Sequence, residues 1–441
     1  MSKTRREFLA DSTKIFAATS LSGIIPASSF ASAPRISEND KIVVGVIGIR
    51  GQGFSDLRNA LKQPGVECGA ICDIDDAVLE ERSNDIVKIQ GKKPLHYKDF
   101  RKFLENKDID AVIIGTPDHW HCLQLIACLE AGKDVYVEKP LANSIYEANQ
   151  MVKAVRKHDR IVQVGQQQRS GDHWKAAIEF IQANKIGQLR KVSAWANFNY
   201  GIGQPKVADE PVPPGVDFDM WLGPAPQRSF NKARFHGSWR MFWDYGGGLM
   251  TDWGVHLIDM ALWPKEKGAM PLAVSTAGGN FSFPDHARET FDTMSVSWQL
   301  PNYNFVWEHV AGIQTGPWGR TYGLAFAGND ATLVIDRDSW DLFPESENGK
   351  YKVPALPRQM ARDAHEPHLR NWIECIRSRK EPNCPIEKGR DAAVYTQMAN
   401  IALRTNTRLE WNEASGNFGK NTAANDLITP SYRKPWELPK F

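Results

Sequence analysis

The sequence predicts an α/β domain built on a parallel sheet covered on both faces, followed by an α+β domain built on a large, mostly antiparallel open sheet. Three observations carry this expectation. An apolar strand runs into clustered glycines in Lys41-Ile-Val-Val-Gly-Val-Ile-Gly48-Ile-Arg50-Gly51-Gln-Gly53. A second strand-like run, Val66 to Cys72, ends in Asp73, 20 residues past Gly53. Beyond residue 165, short β-rich runs separated by helical periods give way to longer alternating strands.

The glycine cluster fits a phosphate-binding turn. Glycine lets the backbone bend sharply and approach a pyrophosphate, and the following helix aims its free N–H groups and positive end at the charge. Asp73 then sits where a carboxylate accepts ribose hydroxyls, which favours NAD over NADP and makes residues 40–165 a Rossmann nucleotide-binding domain. Next come a buried strand at Asp110-Ala-Val-Ile-Ile-Gly115, a helix over His121–Ala131, a strand at Asp134-Val-Tyr-Val-Glu138, a helix over Tyr146–Lys157 and a closing strand at Ile161-Val-Gln-Val-Gly165. Ligands of such sheets lie at the carboxyl ends of the strands. The candidate cofactor contacts are therefore Gly48, Arg50, Gly51, Gly53, Asp73, Thr116, Pro117, His121, Glu138 and Lys139.

In the second domain, 166–414, strand patterns are expected over Leu189–Asn199, Phe291–Leu300, Tyr303–Val310, Gly323–Gly328 and Ala331–Asp336. Residues 201–227 read as a Gly/Pro-rich loop and 415–441 as an irregular tail. If residues 250–263 are helical, Asp252, His256 and Asp259 share one face. Oxidising an alcohol by hydride transfer needs a base for the hydroxyl proton, and histidine titrates near working pH. Asp252 can orient the imidazole or a substrate hydroxyl, and Lys139 can stabilise developing alkoxide charge.

With 441 residues, 42% hydrophobic and 24% charged, the chain is long enough for two domains. The net charge of +2 resides in the first 31 residues, so no basic face for nucleic acid or anionic lipid is expected on the rest. That N-terminus, Thr4-Arg5-Arg6-Glu7-Phe8-Leu9 with an apolar run from Ile15 to Pro26, has the twin-arginine pattern of a periplasmic export signal, with cleavage expected after Ala31. The partners expected are thus the twin-arginine export machinery and a small carbohydrate. The six cysteines make no disulfide framework. Cys68 and Cys72 are expected on one face of a strand, and only Cys375 and Cys384 look close enough to pair.

Jointly, the glycine turn, Cys72-Asp73, Gly115-Thr-Pro-Asp-His-Trp-His121, Glu138-Lys139-Pro140 and Asp252-Trp-Gly-Val-His256 resemble the Gfo/Idh/MocA oxidoreductase family over nearly the whole mature length. The resemblance implies that Lys139, Asp252 and His256 act on the substrate hydroxyl, that a cis bond precedes Pro140, and that the open sheet mediates homo-oligomerisation. The chain departs from the usual Gly-x-Gly-x-x-Gly at Arg50, with Gly51 next to it.

For the substrate, Trp253, Gln168 and Arg169 are added to Asp252 and His256, with Gln166 and His173 as further polar groups; flat aromatic faces suit the C–H faces of sugars. No metal is expected, since Asp118, His119 and His121 lack further ligands at recognisable spacing. The reading is an exported NAD-dependent oxidoreductase of a sugar, glycoside or cyclitol hydroxyl. One alternative is an NAD-dependent glycoside hydrolase or lyase that oxidises transiently and recycles its cofactor, which export favours and the Asp-Trp-Gly-x-His motif disfavours. Another is a non-catalytic sugar-binding protein, against which the intact Lys139, Asp252 and His256 argue.

Overall fold

The computed structural model describes residues 41–265 and 270–441, so the twin-arginine segment and its cleavage site lie outside the described residues. Six parallel strands form the first sheet: β1 (Ile42–Ile47), β2 (Val66–Cys72), β3 (Leu95–Tyr97), β4 (Ala111–Ile114), β5 (Asp134–Val137) and β6 (Val162–Val164), in the order β3-β2-β1-β4-β5-β6. The chain direction reverses its spatial progression between β1 and β4, and such a switch point opens a crevice at the strands' carboxyl ends. The strands are continuous apolar runs because helices cover both faces. One face packs on α1 (Gln52–Ala60) and α2 (Asp76–Gln90), the other on α3 (Phe100–Leu104), α4 (Asp118–Glu130) and α5 (Ile145–His158).

The short β3 was not expected from the sequence, and α4 begins at Asp118, three residues before the expected His121. Cys68 and Cys72 are a second correction. The β1–β2 register slips at Gly69, so Cys68 packs in one core and Cys72 in the core on the opposite face. One extra residue inverts the alternation of a strand, which spacing alone does not reveal.

After α6 (Asp172–Gln182) comes the large sheet. Its strands are β7 (Lys191–Ala196), β8 (Ala273–Gly279), β9 (Thr293–Gln299), β10 (Asn304–Val310), β11 (Tyr322–Ala327), β12 (Ala331–Ile335), β13 (Ser339–Pro344), β14 (Gln359–Met360) and β15 (Leu409–Glu410). They lie in the order β14-β13-β12-β11-β7-β10-β9-β8-β15, antiparallel except for the central β7–β10 pair, so the sheet is mixed. Met294, Val296 and Trp298 of β9 and Phe305 and Trp307 of β10 point to the buried face, where α6, α9 (Gly254–Leu262) and α11 (Ile386–Arg404) cover them. Thr293, Ser295, Ser297 and Glu308 take the alternate positions on the other face.

The helix α10 (His365–Ser378) returns to the first sheet, placing Leu369, Trp372 and Ile373 in the core beside β1 and α1. All six cysteines are free and buried. Cys375 and Cys384, expected as a possible pair, are engaged separately: one Sγ contacts the Glu381 carbonyl and the other the Gln166 Oε1. The tail carries one short helix at Thr422–Asn425 and touches both domains: Trp436 packs edge-on against Trp120 of the first, and Arg433 binds the Asp219 carboxylate of the second. Among the described residues no helix is long and apolar enough to cross a membrane.

Candidate active site

The turn after β1 is built from glycines that each do something different. Gly48 has φ +82°, and a Cβ there would lie 2.7 Å from the Thr116 nitrogen. At Gly53 a Cβ would lie 2.2 Å from the Gly48 carbonyl oxygen, so this glycine lets α1 pack on the turn. Gly51 caps α1 and faces open space, leaving the backbone accessible where a pyrophosphate would approach. The departure at Arg50 is accommodated outward: the side chain is exposed and donates to the His236 carbonyl.

Asp73 lies at the end of β2 with one carboxylate oxygen accepting from the Ile49 N–H (3.0 Å) and the other from the Asp75 N–H (3.3 Å). Burial pushes its pKa up to about 6, against those two hydrogen bonds. Gly48, Arg50, Gly51, Asp73, Thr116 and Pro117 line one cleft of about 260 Å³, which Trp221, Trp239 and Arg240 close from the far side. A glycine turn, a helix N-terminus and a carboxylate at the next strand end fit a dinucleotide's phosphates and ribose. Asp73→Ala is therefore expected to weaken NAD binding by about 10- to 100-fold, the worth of a charged hydrogen bond. Fluorescence titration with unchanged affinity would refute this assignment.

His121 does not line that cleft. It is buried beneath it, with Nδ1 2.7 Å from the Pro140 carbonyl and Nε2 2.9 Å from the Thr116 carbonyl, and so ties together the turns that follow β4 and β5. Burial lowers its pKa to about 4. His119 is likewise engaged, with the Trp221 carbonyl. Glu138 is buried as well; burial and then the Asp56 charge raise its pKa well above the carboxylate range, while its Oε2 accepts from the Lys139 N–H.

Lys139 leaves the end of β5 just before Pro140, and the bond between them is cis. Its Nζ donates to Asp252 Oδ1 at 2.7 Å and to the Asp252 carbonyl at 3.1 Å. Asp252 also receives Tyr200 Oη–H at 2.7 Å and Arg240 Nε–H at 3.2 Å. Burial would raise the Asp252 pKa, but Lys139 and Arg240 overcome it and hold this carboxyl far below the usual range. Burial and the Asp252 charge keep the Tyr200 phenol protonated. Close by, burial pushes Asp118 up to about 8, so it is neutral at pH 7. Asp252 thus faces two cationic side chains, Lys139 and Arg240.

The single helix expected over 250–263 is instead two, α8 (Gly248–Asp252) and α9, broken at Trp253. The consequence is a division of roles. Asp252 closes α8 and faces Lys139, whereas His256 and Asp259 ride on α9 toward residues 166–170. His256 Nδ1 lies 3.0 Å from Gln168 Oε1, so Nδ1 carries the proton and Nε2 keeps its lone pair. Burial, then Lys139 and Arg337, lower the His256 pKa well below its ordinary value.

Arg169, expected to bind substrate, is instead buried in a bidentate pair with Asp259 (both Nε contacts 2.9 Å) beneath the Trp263 ring. Trp253 is half-buried, with its ring 5.7 Å from that of His256. Sequence reasoning missed Tyr200, Arg240 and Arg337. None lies in a recognisable motif, and only a mapped contact to Asp252 or Trp253 singles them out.

Two models of one family match the chain: the oxidoreductase family's NAD-binding Rossmann fold (Gfo/Idh/MocA) over residues 42–166, and its C-terminal alpha/beta domain over 185–279 and 336–438. Glycosyl hydrolase family 109 protein 1 of Shewanella sp. (strain ANA-3) is 31% identical over 176 residues, which are 37% of this chain and 38% of the relative's own length. The aldose-aldose oxidoreductase from Caulobacter crescentus complexed with glycerol aligns with TM-score 0.65 at 17% identity, over 84% of this chain and 100% of that one. Levoglucosan dehydrogenase in complex with NADH and levoglucosan aligns with TM-score 0.62 at 17% identity, over 84% of this chain and 99% of the other. At such identities these two structures share the fold.

Proposed function

Because the chain belongs to the Gfo/Idh/MocA oxidoreductase family through both of its domains, we propose that it oxidises a hydroxyl of a sugar, glycoside or cyclitol by hydride transfer to NAD. The observation that carries this reading is the Lys139–Asp252 pair at the carboxyl edge of the nucleotide-binding sheet, with His256 near enough for both charges to act on it and its Nδ1 against Gln168 Oε1. Gly51, the N-terminus of α1 and Asp73 would hold the dinucleotide, and Asp73 favours the free 2′-hydroxyl of NAD over a 2′-phosphate. Bound NAD supplies the hydride acceptor. His256 Nε2 takes the hydroxyl proton, and Lys139 donates to the same oxygen and stabilises the alkoxide as it forms. Asp252 holds Lys139 in place and, being ionised, accepts from a neighbouring substrate hydroxyl.

The depressed His256 pKa gives a pH dependence. The imidazole stays neutral through neutral pH, so kcat is expected to be level there and to fall only well below ~6.5, the pKa of a free imidazole. The same shift affects stability: in acid the unfolded chain takes up this proton first, so the folded form loses stability as pH drops below ~6.5. A kcat profile with its acid limb at or above pH 6.5 would contradict the assignment of His256 as base.

The family 109 relative supports a second reading, a hydrolase that oxidises its glycoside transiently and reduces it back with retained NAD. A glycoside deuterated at the oxidised carbon separates the two. The dehydrogenase accumulates keto product and deuterated NADH; the hydrolase releases free sugar with no net NADH. The Arg5-Arg6 leader supports export to the periplasm, and the exposed alternate face of the large sheet supports a homo-oligomer.

A further inference from the structure

Next to His256, on the side of the large sheet, lies a second cleft of about 600 Å³. It is bordered by Gln168, His173, Arg337, Arg362 and His365. Arg337 comes from the turn between β12 and β13, and its guanidinium lies over the Trp253 ring at 4.6 Å from the centroid. Its Nε–H is buried without a hydrogen-bond partner, and the guanidinium pairs with no carboxylate among the described residues. Arg337 is half-buried, so it is the Nε–H that is held from water without a partner, and a ligand that pairs with the guanidinium relieves that cost. The neighbouring arginine of the same sheet, Arg320, shows the contrast, being held by both Asp336 and Asp341.

A second donor is left over beside it. Gln168 spends its Oε1 on His256, and its Nε2 is buried with no partner. His173 supplies the complementary group: its Nε2 engages the Asp336 carbonyl, and its Nδ1 is buried without a partner, an acceptor for a hydroxyl. The acidic residues at the rim do not complete Arg337. Asp363 caps the start of α10 through the His365 and Glu366 N–H groups, and Asp338 is exposed.

We propose that this cleft is an anion subsite, with Arg337 and the Gln168 amide receiving a carboxylate carried by the substrate, so that the enzyme's substrates are acidic sugars of the uronate class. The inference rests on the reading of Lys139, Asp252 and His256 as the oxidising site and adds what lies next to them. A planar guanidinium matches a carboxylate bidentately, and a polyhydroxylated acid also presents the hydroxyl that His173 Nδ1 can accept from.

The test is calorimetric titration of the NAD-loaded protein with D-glucuronate and D-galacturonate against their uncharged amides, with NADH formation followed in parallel. At least one acid is expected to bind about 10- to 100-fold more tightly than its amide, the range of a charged hydrogen bond. Arg337→Met is expected to bring that ratio close to one, and Arg337→Lys to restore part of it. Equal binding of acid and amide, binding of neither, or an Arg337→Met variant that weakens both alike would overturn the subsite and leave Arg337 as packing for Trp253. The two readings fail separately. Acid preference without NADH sinks the dehydrogenase and keeps the subsite, whereas NADH from neutral sugars with no acid preference does the reverse.

Discussion

His256→Ala is expected to lower kcat by about 10²- to 10⁴-fold while leaving NAD affinity nearly unchanged, the usual worth of a positioned general base. The separation follows from placement. His256 rides on α9 and touches Gln168, whereas the nucleotide cleft is formed by the β1 turn, Asp73 and Thr116. Gln168→Ala is expected to fall between the two. It removes the acceptor that keeps the His256 proton on Nδ1, so a fraction of the enzyme carries the wrong tautomer and kcat drops, while loss of the amide donor raises KM for an acidic substrate. Steady-state rates on any turned-over sugar, with NAD titrated separately, decide the matter. Rates like those of the native enzyme in the His256 variant would remove it as the base.

Asp259→Ala is expected to cost about 3 to 5 kcal/mol of folding stability, because it leaves the Arg169 guanidinium buried with its main counter-charge removed. The side chains of the pair are 4% and 2% exposed, so water cannot compensate either charge. Replacing both, as Arg169→Met with Asp259→Leu, is expected to recover most of the loss, since a well-packed apolar pair removes the unpaired charge along with the salt bridge. Urea unfolding measures both variants. A loss under 1 kcal/mol in Asp259→Ala would mean that the pair does not hold α9 against residues 167–170. The Gln168–His256 contact joins the same two segments, with Gln168 next to Arg169 and His256 three residues before Asp259.

Much of the nucleotide domain was legible because its determinants are local. A strand ending in Gly48, an open Gly51 at a helix start and a carboxylate closing the next strand are adjacent in sequence as well as in space. The same holds for Glu138-Lys139-Pro140 and Asp252-Trp-Gly-Val-His256, whose composition carried the family resemblance before any geometry was known. Periodicity likewise located five of the nine strands of the second sheet to within a few residues, since alternation reports which face of a strand is buried; Ala273–Gly279, Ser339–Pro344 and the two short edge strands were not expected.

What the tertiary structure alone decided concerns groups that meet across long stretches of chain. The Lys139–Asp252 contact spans 113 residues, Tyr200–Asp252 spans 52 and Gln168–His256 spans 88, and no spacing rule links such pairs. Helical periodicity placed Asp252 and His256 on one face, yet the chain breaks at Trp253 and gives them different partners. Arg169 read as a substrate ligand because polar groups at the carboxyl end of a strand can bind hydroxyls; Asp259 reached it only through the packing of α9. Sequence determined which chemistry the chain can hold, through local backbone freedom and apolar periodicity. Which charges neutralise one another, and which donors of Arg337 and Gln168 are left over, followed from burial, because a charge removed from water must find its partner wherever the fold supplies one.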